Sequence, residues 1–275
     1  MLTATQADHY AVQFLEARAS SQTHPVLSEA IGLTIADAYA IAYSLDQRRT
    51  KEGEQAIGRK LGFTNRKLWN AAPGTVIEAP MWTTLFDSTV RFLDYPFAVQ
   101  SLVGALQPKL EPEIVFKLAR TPSADADLVE IADCLEWMAH GIEIVVNPYG
   151  DAHVKPADSI AAFGMHGTLL VGEPRILSSA SRQHLGDVLA HASVSVSCDD
   201  TLMGAGYGGS VLDSPVHAIW HLHQLLKTQT NFPGLLAGEI ITSGTWTSAF
   251  AVQAGQTWST AFSGVVLPGL AISFV

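Results

Sequence analysis

The apolar residues of this chain come in short runs broken up by glycine, proline and charged positions. No run approaches the ~20 uninterrupted apolar residues of a membrane-crossing helix. This holds although 48% of the 275 residues are hydrophobic, only 15% are charged and the mean hydropathy is +0.20. Such a pattern calls for many short strands and helices around a buried interior. It excludes an integral helical membrane protein, a disordered chain and a coiled coil. The length suffices for one large domain or two small ones, with ample core material.

Charge narrows the partners. The formal net charge is −10, from 16 Lys and Arg against 26 Asp and Glu, which leaves no basic face for nucleic acid. The two cysteines, Cys134 and Cys198, form no disulfide framework and read as small hydrophobes of a reducing compartment. The N-terminal stretch MLTATQADHYAVQF lacks the basic region and apolar core of a signal peptide. A cytoplasmic protein with no membrane partner is expected. Residues 1–70 hold 8 cations and 7 acids, whereas residues 71–275 hold 8 cations and 19 acids. This shift, at a Pro73-Gly74 seam, suggests an N-terminal helical subdomain over 1–72 and a β-rich body over 73–275.

Periodicity predicts a first helix over 4–20, carried by Tyr10, Phe14 and Ala17. A second begins at the capping-box-like Thr34-Ile35-Ala36-Asp37, follows the stripe Ala38, Ile41, Ala42, Leu45, and ends in the cations Arg48, Arg49 and Lys51. Residues 125–140 read as a further helix, with Leu128, Ile131, Ala132, Leu135, Met138 and Ala139 on one face and Gly141 as its C′ residue. Strands are expected over 57–63, 111–118, 142–146 and 192–198, and another helix over 215–226. Gly204-Ala205-Gly206-Tyr207-Gly208-Gly209 matches G-x-G-x-x-G but lacks a following helix, so it reads as a turn. From Glu239 onward, β-segments alternate with turn signals. Strands do not alternate regularly with helices, which argues for an α+β fold over a doubly wound one.

Glu111-Pro112-Glu113 is the sharpest chemical feature. On a strand, residues two apart point to one side about 7 Å apart, so two carboxylates can converge on one hard cation. Glu143, inside the apolar run Ile142-Glu143-Ile144-Val145-Val146, is able to supply a third oxygen. Three carboxylates leave room for a chelating 2-oxo acid, and oxygen ligands with open positions favour Mg²⁺ or Mn²⁺ over zinc. The competing reading is that Glu111 and Glu113 solvate the outer face of an amphipathic strand; against it, Pro112 fits an edge or bulge position, where side chains are often re-aimed toward a site. Lys60, in Gly58-Arg59-Lys60-Leu61-Gly62-Phe63, can hold a substrate carboxylate or stabilise an enolate. Alternatively it is a surface lysine that guards an edge strand.

Four motifs follow one another in order: Gly58-Arg59-Lys60-Leu61-Gly62-Phe63-Thr64, Leu110-Glu111-Pro112-Glu113-Ile114, His140-Gly141-Ile142-Glu143-Ile144 and Ala237-Gly238-Glu239-Ile240-Ile241-Thr242-Ser243-Gly244. Together they resemble the 2-oxopent-4-enoate hydratase / 4-oxalocrotonate decarboxylase family of the fumarylacetoacetate-hydrolase superfamily, over nearly the whole chain. The resemblance implies a mixed β-roll with a small N-terminal helical region, Mg²⁺ or Mn²⁺ on Glu111, Glu113 and Glu143, Lys60 near the substrate, and a homo-oligomer. It also implies an acidic residue after a proline-led turn, matched to Asp87, and a late serine near the pocket, Ser243. Two departures stand out. Arg59 replaces an aromatic residue. Asp158-Ser159-Ile160-Ala161-Ala162-Phe163-Gly164-Met165 replaces a polar family segment, so that Phe163 faces the substrate with Met165 and His166 restores a polar group.

The expected activity is metal-dependent hydration of a small 2-hydroxy-dienoate or 2-oxo-enoate, with Lys60 and Asp87 as catalytic candidates and Ser243, His166 and Phe163 as substrate contacts. Decarboxylation of a vinylogous 2-oxo diacid keeps the same site, and the apolar wall favours it. Hydrolysis of an acylpyruvate C–C bond and a non-catalytic, oligomeric metal-binding protein are the other readings.

Overall fold

The computed structural model describes residues 1–69, 77 and 79–275. The Pro73-Gly74 seam lies outside them. In chain order the helices are α1 (Ala4–Ser20), α2 (Leu27–Ala30), α3 (Ile35–Lys51), α4 (Leu128–Asp133), α5 (Pro156–Ala161), α6 (Ser179–Gln183), α7 (Leu185–His191) and α8 (Pro215–Leu226). The strands are β1 (Ala56–Gly62), β2 (Met81–Phe86), β3 (Val90–Phe92), β4 (Phe97–Gln100), β5 (Lys109–Leu118), β6 (Leu135–Val145), β7 (His166–Val171) and β8 (Arg175–Ile176). Then come β9 (Ser193–Cys198), β10 (Thr201–Tyr207), β11 (Ile240–Thr242), β12 (Phe250–Ala251), β13 (Thr257–Ser263) and β14 (Ala271–Phe274).

The helix starts follow from capping chemistry. Thr3 and Thr34 accept backbone hydrogen bonds from Gln6 and Asp37, whose side chains reach back to close capping boxes. On α1 Phe14 is buried while Tyr10 and Ala17 are only partly so, and α3 buries its whole predicted stripe, Ala38, Ile41, Ala42 and Leu45. The buried ones share one continuous core with Leu61, Ile114 and Phe116 of the sheet and Ile219 and Leu222 of α8. Strand β1, which precedes the seam, belongs to the sheet of the body. No helix among the described residues is long and apolar enough to cross a membrane.

The larger sheet runs β2-β1-β11-β5-β6-β7-β3, with β12 also on β5 and β8 also on β6; the smaller runs β10-β9-β13-β14-β4. Three sequence expectations need correction. The helix expected over 125–140 stops at Asp133, and Leu135–Val145 is strand β6. That strand lies between β5 and β7 and is buried on both faces, so its apolar residues lose the period of two and mimic a helical one. Gly141 is therefore a mid-strand residue opposite Glu113, where a Cβ would come within 2.5 Å of a Val115 methyl. The glycine-rich Thr201–Tyr207 is strand β10, and Gly206 allows the chain to pass 1.9 Å, measured from a virtual Cβ, from the Trp246 carbonyl oxygen.

Pro112 sits neither at a sheet edge nor at a bulge of its own strand. Ile240 on β11 pairs with Lys117, and Phe250 on β12 pairs with Leu110. Eleven residues on that side thus face eight of β5, and the surplus loops out on either side of Trp246, between the Ser243 N–H, which donates to the Ile114 carbonyl, and Phe250, while the Trp246 N–H donates to the Pro112 carbonyl. Proline lacks a donor where the neighbouring chain has left the ladder.

Candidate metal centre and its cleft

Strands β5 and β6 carry the acidic cluster. Glu111 lies directly across from Glu143, and Glu113 is two residues further along the same face of β5. One carboxylate oxygen from each of Glu111, Glu113 and Glu143 lies within 4.8 Å of the others. Glu113 and Glu143 are 1% and 0% exposed, which rules out the solvated-face reading. Glu113 Oε2 accepts the Gly244 N–H at 2.8 Å, while its buried Oε1 has no hydrogen-bond partner among the described residues. An unpaired acceptor at such depth is costly unless a ligand answers it.

Lys60 comes to this cluster from an interior strand, since β1 is paired on both sides, to Thr242 of β11 and Thr83 of β2. Its Nζ lies 2.9 Å from Glu143 Oε2 and donates to the Gly164 carbonyl at 3.1 Å. Burial alone would lower the affinity of Lys60 for its proton, but the carboxyl groups of Glu143, Glu111 and Glu113 outweigh it and raise the pKa. Burial pushes Glu111 up to about 7 against the pull of Lys60. It pushes Glu113 well above the carboxylate range, helped by Glu143 and Glu111. Burial acts on Glu143 in the same sense, yet Lys60 and the His166 hydrogen bond hold its pKa below the ordinary value. The centre therefore carries one firmly ionised carboxylate and two that await positive charge.

The remaining predicted residues are spread differently. His166 is buried, with Nδ1 2.7 Å from Glu143 Oε1 and Nε2 2.9 Å from Thr89 Oγ1. Burial lowers its pKa, so the neutral ring donates Nδ1–H to Glu143. It stands behind a carboxylate instead of lining the cleft, and orients Glu143. Ser243 is fully buried with its hydroxyl unpartnered among the described residues; its neighbours Gly244 and Thr245 are the ones that line the cleft.

Phe163 and Asp87 leave the site. Phe163, Gly164 and Met165 have φ of 56°, 60° and 62°, three successive left-handed residues. This turn places the Phe163 ring beneath the Arg18 guanidinium, 4.8 Å from its centroid, and leaves Gly164 and Met165 to face the cleft. Asp87 is exposed at the end of β2 remote from Thr83, and its Oδ1 accepts the Gln55 and Ser88 N–H groups. The cleft-lining residue that follows Pro80 is Met81.

The cleft above the carboxylates has a volume of about 380 Å³. Val145, Val146, Val154, Met81 and Met165 give it apolar walls, and Lys60 and Glu111 reach it at the floor. Sequence reasoning passed over Lys109, which lines the same cleft from the face of β5 that carries Glu111. The period-two rule that paired Glu111 with Glu113 extends to it.

Helices at the N-terminus and a mixed sheet give a fold shared with a structure described as a putative fumarylacetoacetate hydrolase family protein from Yersinia pestis CO92, with a TM-score of 0.54 at 12% identity over 81% of this chain and 94% of that one. In sequence the chain is similar to proteins named as hydratases and as a decarboxylase. It is 27% identical to 2-hydroxyhexa-2,4-dienoate hydratase of Comamonas testosteroni, over 85% of this chain and 84% of that one. It is 27% identical to 2-keto-4-pentenoate hydratase of Paraburkholderia xenovorans strain LB400, over 85% and 82%. The structure of 4-oxalocrotonate decarboxylase from Pseudomonas putida G7, complexed with magnesium and adipate, matches with a TM-score of 0.88 at 20% identity, over 100% of this chain and 99% of that one. No protein-family model matches the chain.

Proposed function

We propose that this chain is a Mg²⁺- or Mn²⁺-dependent lyase acting on a small 2-oxo acid, or on its 2-hydroxy-dienoate form, and that hydration is its reaction. The convergence of one oxygen each from Glu111, Glu113 and Glu143 within 4.8 Å, with Glu111 on the cleft lining, carries this reading. The donor set fits a hard divalent cation: all oxygens, one of them a buried Glu113 oxygen without a partner among the described residues. When bound there, such a cation supplies Lewis-acid polarisation of the 2-oxo group and neutralises the substrate carboxylate.

The chain's own residues supply the rest. The Gly244 N–H orients Glu113, and His166 orients Glu143, so two of the three carboxylates are held before any ligand arrives. Lys60 Nζ holds a proton and a positive charge at the floor, where it opposes the negative charge that develops as electrons move toward the 2-oxo oxygen. With Asp87 outside the cleft, Lys60 is the proton donor we assign to the substrate carbon. The walls of Val145, Val146 and Met165 limit the water that reaches the reacting carbons. Those walls favour decarboxylation of a 2-oxo diacid as the second reading.

The test is direct. Protein with Mg²⁺ is incubated with 2-hydroxypenta-2,4-dienoate, and the diene absorbance is followed. Metal-dependent loss of the diene with formation of a hydroxy-oxo acid supports hydration. Turnover of a 2-oxo-enedioate with release of CO₂, and none of the dienoate, moves the assignment to decarboxylation. No metal-dependent turnover of either substrate overturns the lyase reading.

A further inference from the structure

We propose that Arg18 is a positioning residue for the reaction: from helix α1 it holds the 163–165 turn in its left-handed form, and the turn in that form fixes Lys60 and one wall of the cleft. This rests on the reading above that places Lys60 at the substrate.

The turn is strained at two of its three residues. Phe163, Gly164 and Met165 have φ of 56°, 60° and 62°, which glycine adopts freely and the other two do not. Such a conformation persists where its surroundings leave it no alternative. In this form the turn serves the site in two ways. The Gly164 carbonyl accepts from Lys60 Nζ at 3.1 Å, and Gly164 and Met165 line the cleft. A return of Phe163 and Met165 to ordinary backbone angles rotates the peptide groups beside Gly164 and turns its carbonyl away from Lys60. Two backbone bonds hold Met165, whose N–H donates to the Ala162 carbonyl and whose carbonyl accepts the Val146 N–H, each at 2.9 Å. Phe163 is held through its ring.

Arg18 grips the turn at both ends. Its guanidinium lies over the face of the Phe163 ring, 4.8 Å from the centroid. Its Nη1 donates to the His166 carbonyl at 3.0 Å and its Nη2 to the Gly167 carbonyl at 3.2 Å. One planar group thus takes the side chain of the first residue and the carbonyls just beyond the last. A guanidinium combines a flat face with a fork of donors, which an ammonium does not. Burial and the nearby Arg49 lower its pKa to about 10, which keeps it charged at neutral pH. Arg49 approaches the same ring to 5.9 Å, but it is bonded to Glu54 at 2.8 and 2.7 Å and lies 4.0 Å over the Phe86 ring. Neither Arg18 nor Phe163 lines the cleft, so an effect of either on turnover passes through the turn.

Steady-state kinetics of Arg18→Ala at saturating Mg²⁺ test the assignment, with 2-hydroxypenta-2,4-dienoate or, if decarboxylation is the reaction, a 2-oxo-enedioate. The kcat is expected to fall about 10- to 100-fold, with KM changed far less. Mg²⁺ affinity by calorimetry is expected to stay near the wild-type value, because the three carboxylates sit on β5 and β6. Phe163→Leu is expected to lower kcat to a similar extent, and the double variant no further, since both act through one turn. Should Arg18→Ala fail to fold in thermal scans, Arg18→Lys carries the same expectation. An unchanged kcat overturns the positioning role and leaves the lyase reading in place. So do losses that multiply in the double variant, or a fall in kcat matched by lost Mg²⁺ affinity or lost folded protein. A wild type that turns over neither substrate overturns the lyase reading and this inference with it.

Discussion

Lys60 Nζ and Glu143 Oε2 are 2.9 Å apart, and their side chains are 4% and 0% exposed. A pair at that depth is stabilising only while both partners remain, because either charge alone is expensive to bury. Lys60→Met is therefore expected to lower the stability of the metal-free protein by about 3 kcal/mol. Added Mg²⁺ should return part of that loss by giving the Glu143 carboxylate another cation. Urea denaturation with and without Mg²⁺ measures both effects. Turnover should fall at least a hundredfold in either condition, since metal does not replace the ammonium proton.

Glu113 behaves in the opposite way. Its carboxyl is pushed well above the ordinary range by burial and by Glu143 and Glu111, so its neutral form is already favoured without a cation. Glu113→Gln keeps an acceptor for the Gly244 N–H. The variant is expected to match wild-type stability without metal to within about 1 kcal/mol. The rise in Tm on adding Mg²⁺ should disappear, together with activity. Thermal scans across a Mg²⁺ titration provide the check; activity that persists without metal would remove Glu113 from the centre.

His166 touches Glu143 at 2.7 Å and Thr89 at 2.9 Å, and does not line the cleft. It acts by holding a ligand in place. His166→Ala is expected to weaken Mg²⁺ binding by about 10- to 100-fold. The apparent KM of a substrate measured at saturating Mg²⁺ should change far less. A metal titration followed by calorimetry separates the two; unchanged Mg²⁺ affinity would make His166 a packing residue only.

His140 gives the fold a predictable response to acid. Its Nδ1 lies 3.1 Å from the Glu113 carbonyl oxygen and its Nε2 lies 2.9 Å from Thr260 Oγ1. Burial lowers its pKa from 6.5 to about 4. Between those values the unfolded chain takes up a proton that the folded chain refuses. The stability that His140 supports is thus complete above pH 6.5 and is lost as the pH falls toward 4. The slope from this residue approaches about 1.4 kcal/mol per pH unit within the window. Denaturation at pH 7, 6 and 5 should show a steeper loss in the wild type than in His140→Gln.

The acidic centre was legible in the sequence because strands β5 and β6 obey a rule that sequence spacing can express. Glu111 and Glu113 fall on one face, and Glu143 is an acid in a run too apolar to solvate it. Glu143 falls on a strand as its apolar run indicates, but the first half of that strand, 135–140, reads as helix for the same physical reason that makes it buried. With apolar residues on both faces, 135–139 show no alternation, and Leu128, Ile131, Leu135 and Met138 fall at helical spacing by coincidence. Phe163 and Asp87 were placed by short motifs, which do not report which way a turn throws a side chain. Three consecutive left-handed residues at 163–165 send one ring to Arg18, and a terminal hydrogen-bonding role holds Asp87 outside. Lys109 was passed over because a lysine at the start of a strand resembles ordinary surface charge until the cleft above it is seen.

The break in the ladder opposite Pro112 has a mechanical meaning. The floor of the cleft is part of a sheet and cannot shift a residue without slipping its register. The segment from Gly244 to Ala249 lies outside that ladder and forms the facing side, with Gly244, Thr245, Thr247 and Ala249 on the lining. The candidate cation ligands and the facing wall of the cleft are thereby housed in parts of the chain with different tolerances. Residues 247–249, beyond the buried Trp246, can be lengthened, shortened or exchanged, retuning which molecules enter while the carboxylates beneath keep their positions.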